Sequence, residues 1–311
     1  MYILKLYKMA INLYNIKKWY KMLTGKSVLH VNQNLGKHFE VKELKGYYNN
    51  MMEKVSYAPH LVDSDEFPVL HTESGETFVF PVAVFQFAFG LLDYYYESKQ
   101  EKYLVKFRQC ADWAISVQHT DGAWDNFSYI YPENPYGSMA QGEGVSLLVR
   151  AYKLFDEQKY LEAASKAISF MLTPLEKGGC TQFVGENVIF QEFQHLPTVL
   201  NGWIFSWWGL YDYVLVTQDS EVKQIMDKSL QTLVDYLPRF SCLYWSMYDL
   251  GGKITSPFYH NLHIAQMEAM YRLTERQVFN QYANKWRKQQ GNKLYKSIAF
   301  VRKCIQKIIE R

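Results

Sequence analysis

Residues 243–267, LYWSMYDLGGKITSPFYHNLHIAQM, set Tyr244, Tyr248, Tyr259, His260 and His263 around a Gly251-Gly252 turn. Unperturbed phenols and imidazoles titrate near about 10 and about 6.5, so such a cluster can exchange protons once its surroundings shift those values. The alternative is packing: Tyr259 and His263, four residues apart, share a helix face and could simply rim a helical core. Upstream, TDGAWDNFSYIYPENPYG (120–137) carries Trp124, Tyr129, Tyr131 and Tyr136, flat side chains that stack on sugars or fill cores. Gln141 and Asn201 open two apolar segments, where an amide reaches a cleft or binds backbone. Arg150 in LLVRAY reads as half of a structural ion pair, and Asp93 and Asp212 as helix-end residues without a catalytic duty.

The elements that must position these groups follow from hydrophobic periodicity. From about residue 80, helical patterns run back to back: 81–98 with 101–119, 138–155 with 157–173, 200–217 with 220–237, and 260–273 with 275–290. The first helix of each pair is apolar nearly all round, as in FPVAVFQFAFGLLDYYY, and the second is amphipathic, as in EQKYLEAASKAISFML. A helix without a polar face must be buried, whereas one with a polar stripe can face water. The contrast predicts inner helices wrapped by outer ones: an all-α fold, an incomplete α/α toroid of about four helix pairs. Glycines on the inner helices, Gly142, Gly202 and Gly209 among them, cost about 1 kcal/mol each relative to alanine and imply close helix contact or approach to a ligand. Long aromatic connections at 120–137 and 176–197 predict a cleft wall, with short β-hairpins in the cleft loops and a hairpin turn at Gly185-Glu186-Asn187. The expected organisation is a basic helical N-terminal extension, 1–60, packed on one main domain, 61–311.

Composition narrows the function classes. Of 311 residues, 48% are hydrophobic and 21% charged, as in a globular protein, whereas the aromatic share of 17% suits flat ligands such as sugars. Residues 1–39 hold seven lysines and no acid, and 272–311 hold 11 Lys or Arg against two acids, so the body between them is acidic. Basic ends around an acidic body fit contact with anionic lipid or an anionic polymer, or else solvated helix faces. No nucleic-acid motif accompanies the charge. Cys110, Cys180, Cys242 and Cys304 stand far apart without a CxxC or Cys/His cluster, so no metal, disulfide framework or cofactor is implied. The opening stretch MYILKLYKMAINLYNIKKWYKML is broken by Lys5 and Lys8 and is too polar to span a bilayer. The economical expectation is a cytoplasmic protein, peripheral to the inner face of a membrane, with room for a homodimer.

SMAQGEGVSLLVRAYKLF (138–155), VLNGWIFSWWGLYDY (199–213), YDLGG (248–252) and YHNLHIAQM (259–267), in this order, closely resemble the C-terminal domain of the D-glucuronyl C5-epimerase family. The likeness covers roughly residues 105–290, with a weaker match in FVFPVAVFQFAFG (78–90). It implies an α/α barrel and conversion of D-glucuronate to L-iduronate residues in heparosan-type glycans. The proton removed from C5 lies beside a carboxylate, so the reaction needs a base, an acid on the opposite face, and donors for the developing charge. The resemblance implies Tyr248 and Tyr259 as the proton-transfer groups, their phenolic oxygens flanking one uronate carbon, with Glu192 as base or as the partner tuning one of them. Phe193 stands where the family has a tyrosine. Gly251 stands where vertebrate-type members have an arginine, and Lys253, His260 or His263 could supply that cation. The β-rich domain of the animal enzymes is absent.

The expected function is therefore C5 epimerisation of a polymeric or lipid-linked uronate, with Tyr248, Tyr259 and Glu192 catalytic and His260, His263, Asn201, Trp124, Gln141 and Lys253 binding substrate. Two rivals share the features: a uronate polysaccharide lyase, which begins with the same deprotonation, and a catalytically inactive glycan-binding protein.

Overall fold

The computed structural model describes residues 31–71 and 75–309. Among the described residues the fold is all-α with two small antiparallel hairpins. Four helix pairs dominate: α2 (Pro81–Ser98) with α3 (Glu101–Ser116), α4 (Ser138–Phe155) with α5 (Gln158–Leu172), α6 (Leu200–Thr217) with α7 (Ser220–Tyr236), and α8 (Pro257–Thr274) with α9 (Gln277–Gly291). A short α1 (Met52–Ser56) precedes them and α10 (Lys293–Ile309) follows. The outer helix α3 stops at Ser116, and α8 begins at Pro257 rather than 260. That earlier start has a cause: Ser256 caps the helix, its hydroxyl accepting from the Tyr259 N–H, and Pro257 supplies a preset first turn.

The burial contrast is the one the periodicity predicts. α2, α4, α6 and α8 are buried along most of their length, and their partners along one stripe only. The inner helices pack in chain order, α2 on α4, α4 on α6 and α6 on α8, each backed by its own outer helix. The closest approach is α4 with α6, where a Cβ on Gly142 or Gly209 would strike the facing backbone.

Every pair closes in the same way. Each inner helix ends on a left-handed residue, Lys99, Asp156, Gln218 or Glu275, whose N–H bonds back into the last turn, and one extended residue then starts the outer helix. Non-glycine residues with positive φ are uncommon, and four at equivalent points mark a repeated unit. Tight turns at one end leave the long connections at the other, where the inner helices begin.

The second hairpin, β3 (Thr181–Val184) with β4 (Asn187–Phe190), turns at Gly185-Glu186 as the sequence predicts. The first, β1 (Val69–His71) with β2 (Thr77–Val79), stands beside the start of α2. Residues 31–62 are woven into the main core: Tyr47 stacks on Phe89 of α2 at 3.7 Å, and the Tyr48 hydroxyl donates to Asp212 of α6. The helical character expected for 1–60 is met in the described part only at α1 and a single 3-10 turn (Pro59–Leu61); residues 1–30 lie outside the described residues.

Candidate active site

The N-terminal turns of all four inner helices surround a cavity of about 670 Å³, within the range of small-molecule sites. Val82, Ala83 and Gln86 come from α2, Met139 from α4, Asn201 and Phe205 from α6, and Phe258, Tyr259 and Leu262 from α8. The remaining wall comes from the connections: His71 and Glu76 of the first hairpin, Tyr129 of the aromatic loop, Glu192 and Phe193 after β4, and Tyr248. Four helix N-termini at one opening make it electropositive in backbone terms, which favours an anionic ligand.

Glu192 is delivered by the β3–β4 hairpin. The Gln191 N–H bonds the Cys180 carbonyl and the Gln191 carbonyl accepts from Ser138 N–H, which fixes the chain where it leaves β4. Its side chain lies against Gly202 of α6, where any Cβ would collide with the carboxylate. Oε2 has no hydrogen-bond partner, and burial alone pushes the carboxyl up to about 8. Desolvation disfavours the charged form, so an ionised Glu192 is a stronger base than an ordinary carboxylate.

Tyr248 sits at the head of a turn clamped to α6. Its carbonyl accepts from Leu200 N–H, its N–H donates to the Lys253 carbonyl at 2.6 Å, and Leu250 N–H donates to Thr198. Asp249 Oδ1 takes the Lys253 N–H, closing the YDLGG turn, in which Gly252 holds φ +92°. Tyr259 comes from the first turn of α8 and meets Tyr248 edge to face, ring centroids 5.0 Å apart. The two hydroxyls hydrogen-bond, a contact that raises Tyr248 and lowers Tyr259. Burial lifts both phenols, Tyr248 well above its ordinary value and Tyr259 to about 12, and the Glu192 charge adds to each. Tyr259 is thus the phenol that ionises first. Two hydroxyls bonded to each other cannot flank one carbon, so the expectation of phenols on opposite faces gives way to a phenol pair and a separate carboxyl.

The other sequence-predicted residues divide. Asn201 lines the cavity with its Oδ1 unpartnered. His260 and His263 are fully buried outside it. His260 stacks on Trp245 at 3.6 Å; its Nδ1 accepts from Ser246 N–H, leaving Nε2 to donate to the Trp286 carbonyl at 3.1 Å. His263 Nδ1 lies 3.2 Å from the Ser246 hydroxyl. Burial lowers both imidazoles to about 3, so neither supplies the missing cation. Trp124 is a core residue: its indole donates to the Ala114 carbonyl and its ring fills the space at Gly144. Gln141 ties that loop to α4 through both the N–H and the carbonyl of Trp124. Lys253 serves the turn by its backbone and stays outside the cavity lining. Of the loop tyrosines, Tyr129 reaches the cavity, while Tyr131 packs on His195 and Tyr136 on Phe170.

Sequence reasoning missed three groups. Lys54, from α1, is the one Lys or Arg lining the cavity among the described residues, and burial lowers it to about 8. Gln86 donates from Nε2 to Glu143 at 3.0 Å and accepts from Gln33. Glu143 is fully buried, its second oxygen is unpartnered, and burial holds its carboxyl well above the usual range. The available signal was a polar residue inside an otherwise apolar helix, Gln86 in FPVAVFQFAFG and Glu143 in SMAQGEGVSLLV. Lys54 had no such signal. No group of three or more His, Cys, Asp or Glu side chains is placed to hold a metal among the described residues.

A helix-hairpin scaffold that brings a desolvated carboxyl, a phenol pair and a lysine to one cavity belongs to the class of proteins equipped for acid–base chemistry. Residues 110–288 match the family described as D-glucuronyl C5-epimerase C-terminus, and the chain belongs to that family. It is 26% identical over 218 residues to the D-glucuronyl C5-epimerase of Caenorhabditis elegans, covering 60% of this chain and 35% of that protein. It is 28% identical over 157 residues to an uncharacterized protein of Methanocaldococcus jannaschii, covering 49% and 51%. The chain therefore spans about a third to a half of the relatives it matches.

Proposed function

We propose that the chain is a C5-epimerase converting D-glucuronate to L-iduronate residues in a glycan, by proton removal and return at C5. The observation that carries this reading is the cavity that joins Glu192 to the Tyr248–Tyr259 pair, with family membership as its support. Ionised Glu192 takes the C5 proton from one face. The electron pair spreads into the neighbouring carboxylate, whose charge Lys54 and the helix N-termini balance. Tyr259 then delivers a proton to C5 from the other face, and Tyr248, hydrogen-bonded to it, stabilises the transient phenolate. Microscopic reversibility exchanges the roles for the return reaction.

The test is incubation of the full chain with a desulfated glucuronate polymer of heparosan type in heavy water. Deuterium at C5 of chains of unchanged length supports epimerisation. Unsaturated fragments assign a lyase instead, and shortened chains with neither mark a hydrolase. Glycan binding without any exchange would leave a binding protein.

A further inference from the structure

The last helix carries a feature that the cavity does not use. Asn292 caps α10, its Oδ1 accepting from the N–H groups of Leu294 and Tyr295. One face is anchored: Ala299 packs with Trp245, Met247 and Ile254, Lys303 donates to the Ile254 carbonyl at 2.7 Å, and Gln306 accepts from Ile254 N–H. The opposite face shows Leu294, Ile298, Val301, Ile305 and Ile309 to solvent, at 65, 40, 55, 51 and 75% exposure. Spacings of 4, 3, 4 and 4 residues put these five on a single stripe. Arg302 borders it, donating to the Tyr244 hydroxyl and the Gly252 carbonyl, while Lys293 lies about 120° from the stripe's centre and Lys296 and Lys307 lie on the far side; the helix contains no acid.

We infer that this stripe docks on an anionic membrane surface. A continuous apolar line on a helix of five cations and no acid, too short and too charged to cross a bilayer, is the pattern of a helix lying in the headgroup plane. Charge chooses among occupants. A second copy related by a twofold axis would bring two helices of the same positive net charge together. Residues 1–30 hold six lysines and no acid, so they too carry the wrong sign. An anionic lipid surface offers opposite charge and an apolar interior together. The inference is independent of the reaction assigned to the cavity.

The experiment is co-sedimentation of the full chain with vesicles of phosphatidylcholine alone or with a quarter phosphatidylglycerol. Wild type binds the anionic vesicles and releases as salt rises. Ile298→Asp/Ile305→Asp, both exposed positions, lowers the partition coefficient by about tenfold or more with unchanged melting temperature. Lys293→Gln, at the exposed start of the helix, lowers it by about fivefold. Three results overturn the inference: a double-Asp variant that binds like wild type, which would place binding on residues 1–30; equal binding to neutral vesicles; or a wild-type dimer that the double-Asp variant dissolves.

Discussion

Two buried carboxylates, Asp212 and Glu192, sit on or against the same helix and have opposite surroundings. Asp212 is saturated: Arg150 reaches it at 2.5 Å, Ser146 donates at 2.6 Å, and Tyr48 donates as well. Arg150 also bonds the Gly46 carbonyl, so the cluster staples residues 31–62 to α4 and α6. Glu192 has one oxygen without a partner, and burial pushes it up to about 8. Burial alone therefore does not mark a reactive group. A carboxylate supplied with donors holds the fold together, and one deprived of them keeps its affinity for a proton.

The same substitution at the two sites breaks or sharpens that contrast. On the proposed function Glu192→Gln removes the base, and C5 exchange should fall by about 10²–10⁴. Its stability moves the other way, and the sign follows from linkage. The folded-state value lies above the ordinary 4.5, so below about 4.5 both states are protonated and no penalty exists; the penalty grows up to about 8 and stays constant beyond. Glu192→Gln should thus match wild type at pH 4.5 and exceed it at pH 8, by at most about 5 kcal/mol. Asp212→Asn leaves the buried Arg150 charge uncompensated and costs about 3–5 kcal/mol in denaturant unfolding. Equal signs at pH 8 would erase the distinction.

Gly202→Ala probes the same carboxylate from the helix side. A Cβ there collides with the Glu192 side chain, which must rotate or withdraw. A displacement of about 1 Å costs on the order of 10² in turnover while leaving the fold intact. Unchanged deuterium exchange in this variant would show that Glu192 does not need its present position.

The helix pairs were legible because an apolar-all-round helix beside an amphipathic one records burial in residue type alone. Arg150 was legible for the same reason, since a lone charge in LLVRAY must be paired. The site was half legible. On α8 Phe258, Tyr259 and Leu262 reach the cavity, whereas His263, one turn or about 5–6 Å deeper than Tyr259, lies in the packed layer. His260 points round the helix toward Trp286. Residue type identifies a group able to hold a proton but not its depth along a helix. Trp124 illustrates the converse, an aromatic in a cleft loop that turns inward to fill α4's glycine gap. The basic α10 was visible as charge, but its apolar stripe emerges only once its anchored face is known.

Lys54 yields the smallest effect and the most discriminating one. The reaction needs Glu192 ionised, which pH above about 8 favours, and Lys54 charged, which pH below about 8 favours. Because both groups centre on the same region, kcat/KM should trace a narrow bell with its maximum near pH 8, its acid limb set by Glu192 and its alkaline limb by Lys54. Lys54→Gln should remove the proposed charged hydrogen bond to the substrate carboxylate, about tenfold in kcat/KM, and flatten the alkaline limb. Lys54→Arg keeps the charge at every accessible pH, so the alkaline limb should vanish while most activity survives. A purely structural lysine would lower activity without reshaping either limb, and an alkaline limb that persists in both variants would transfer the balancing role to the helix N-termini alone.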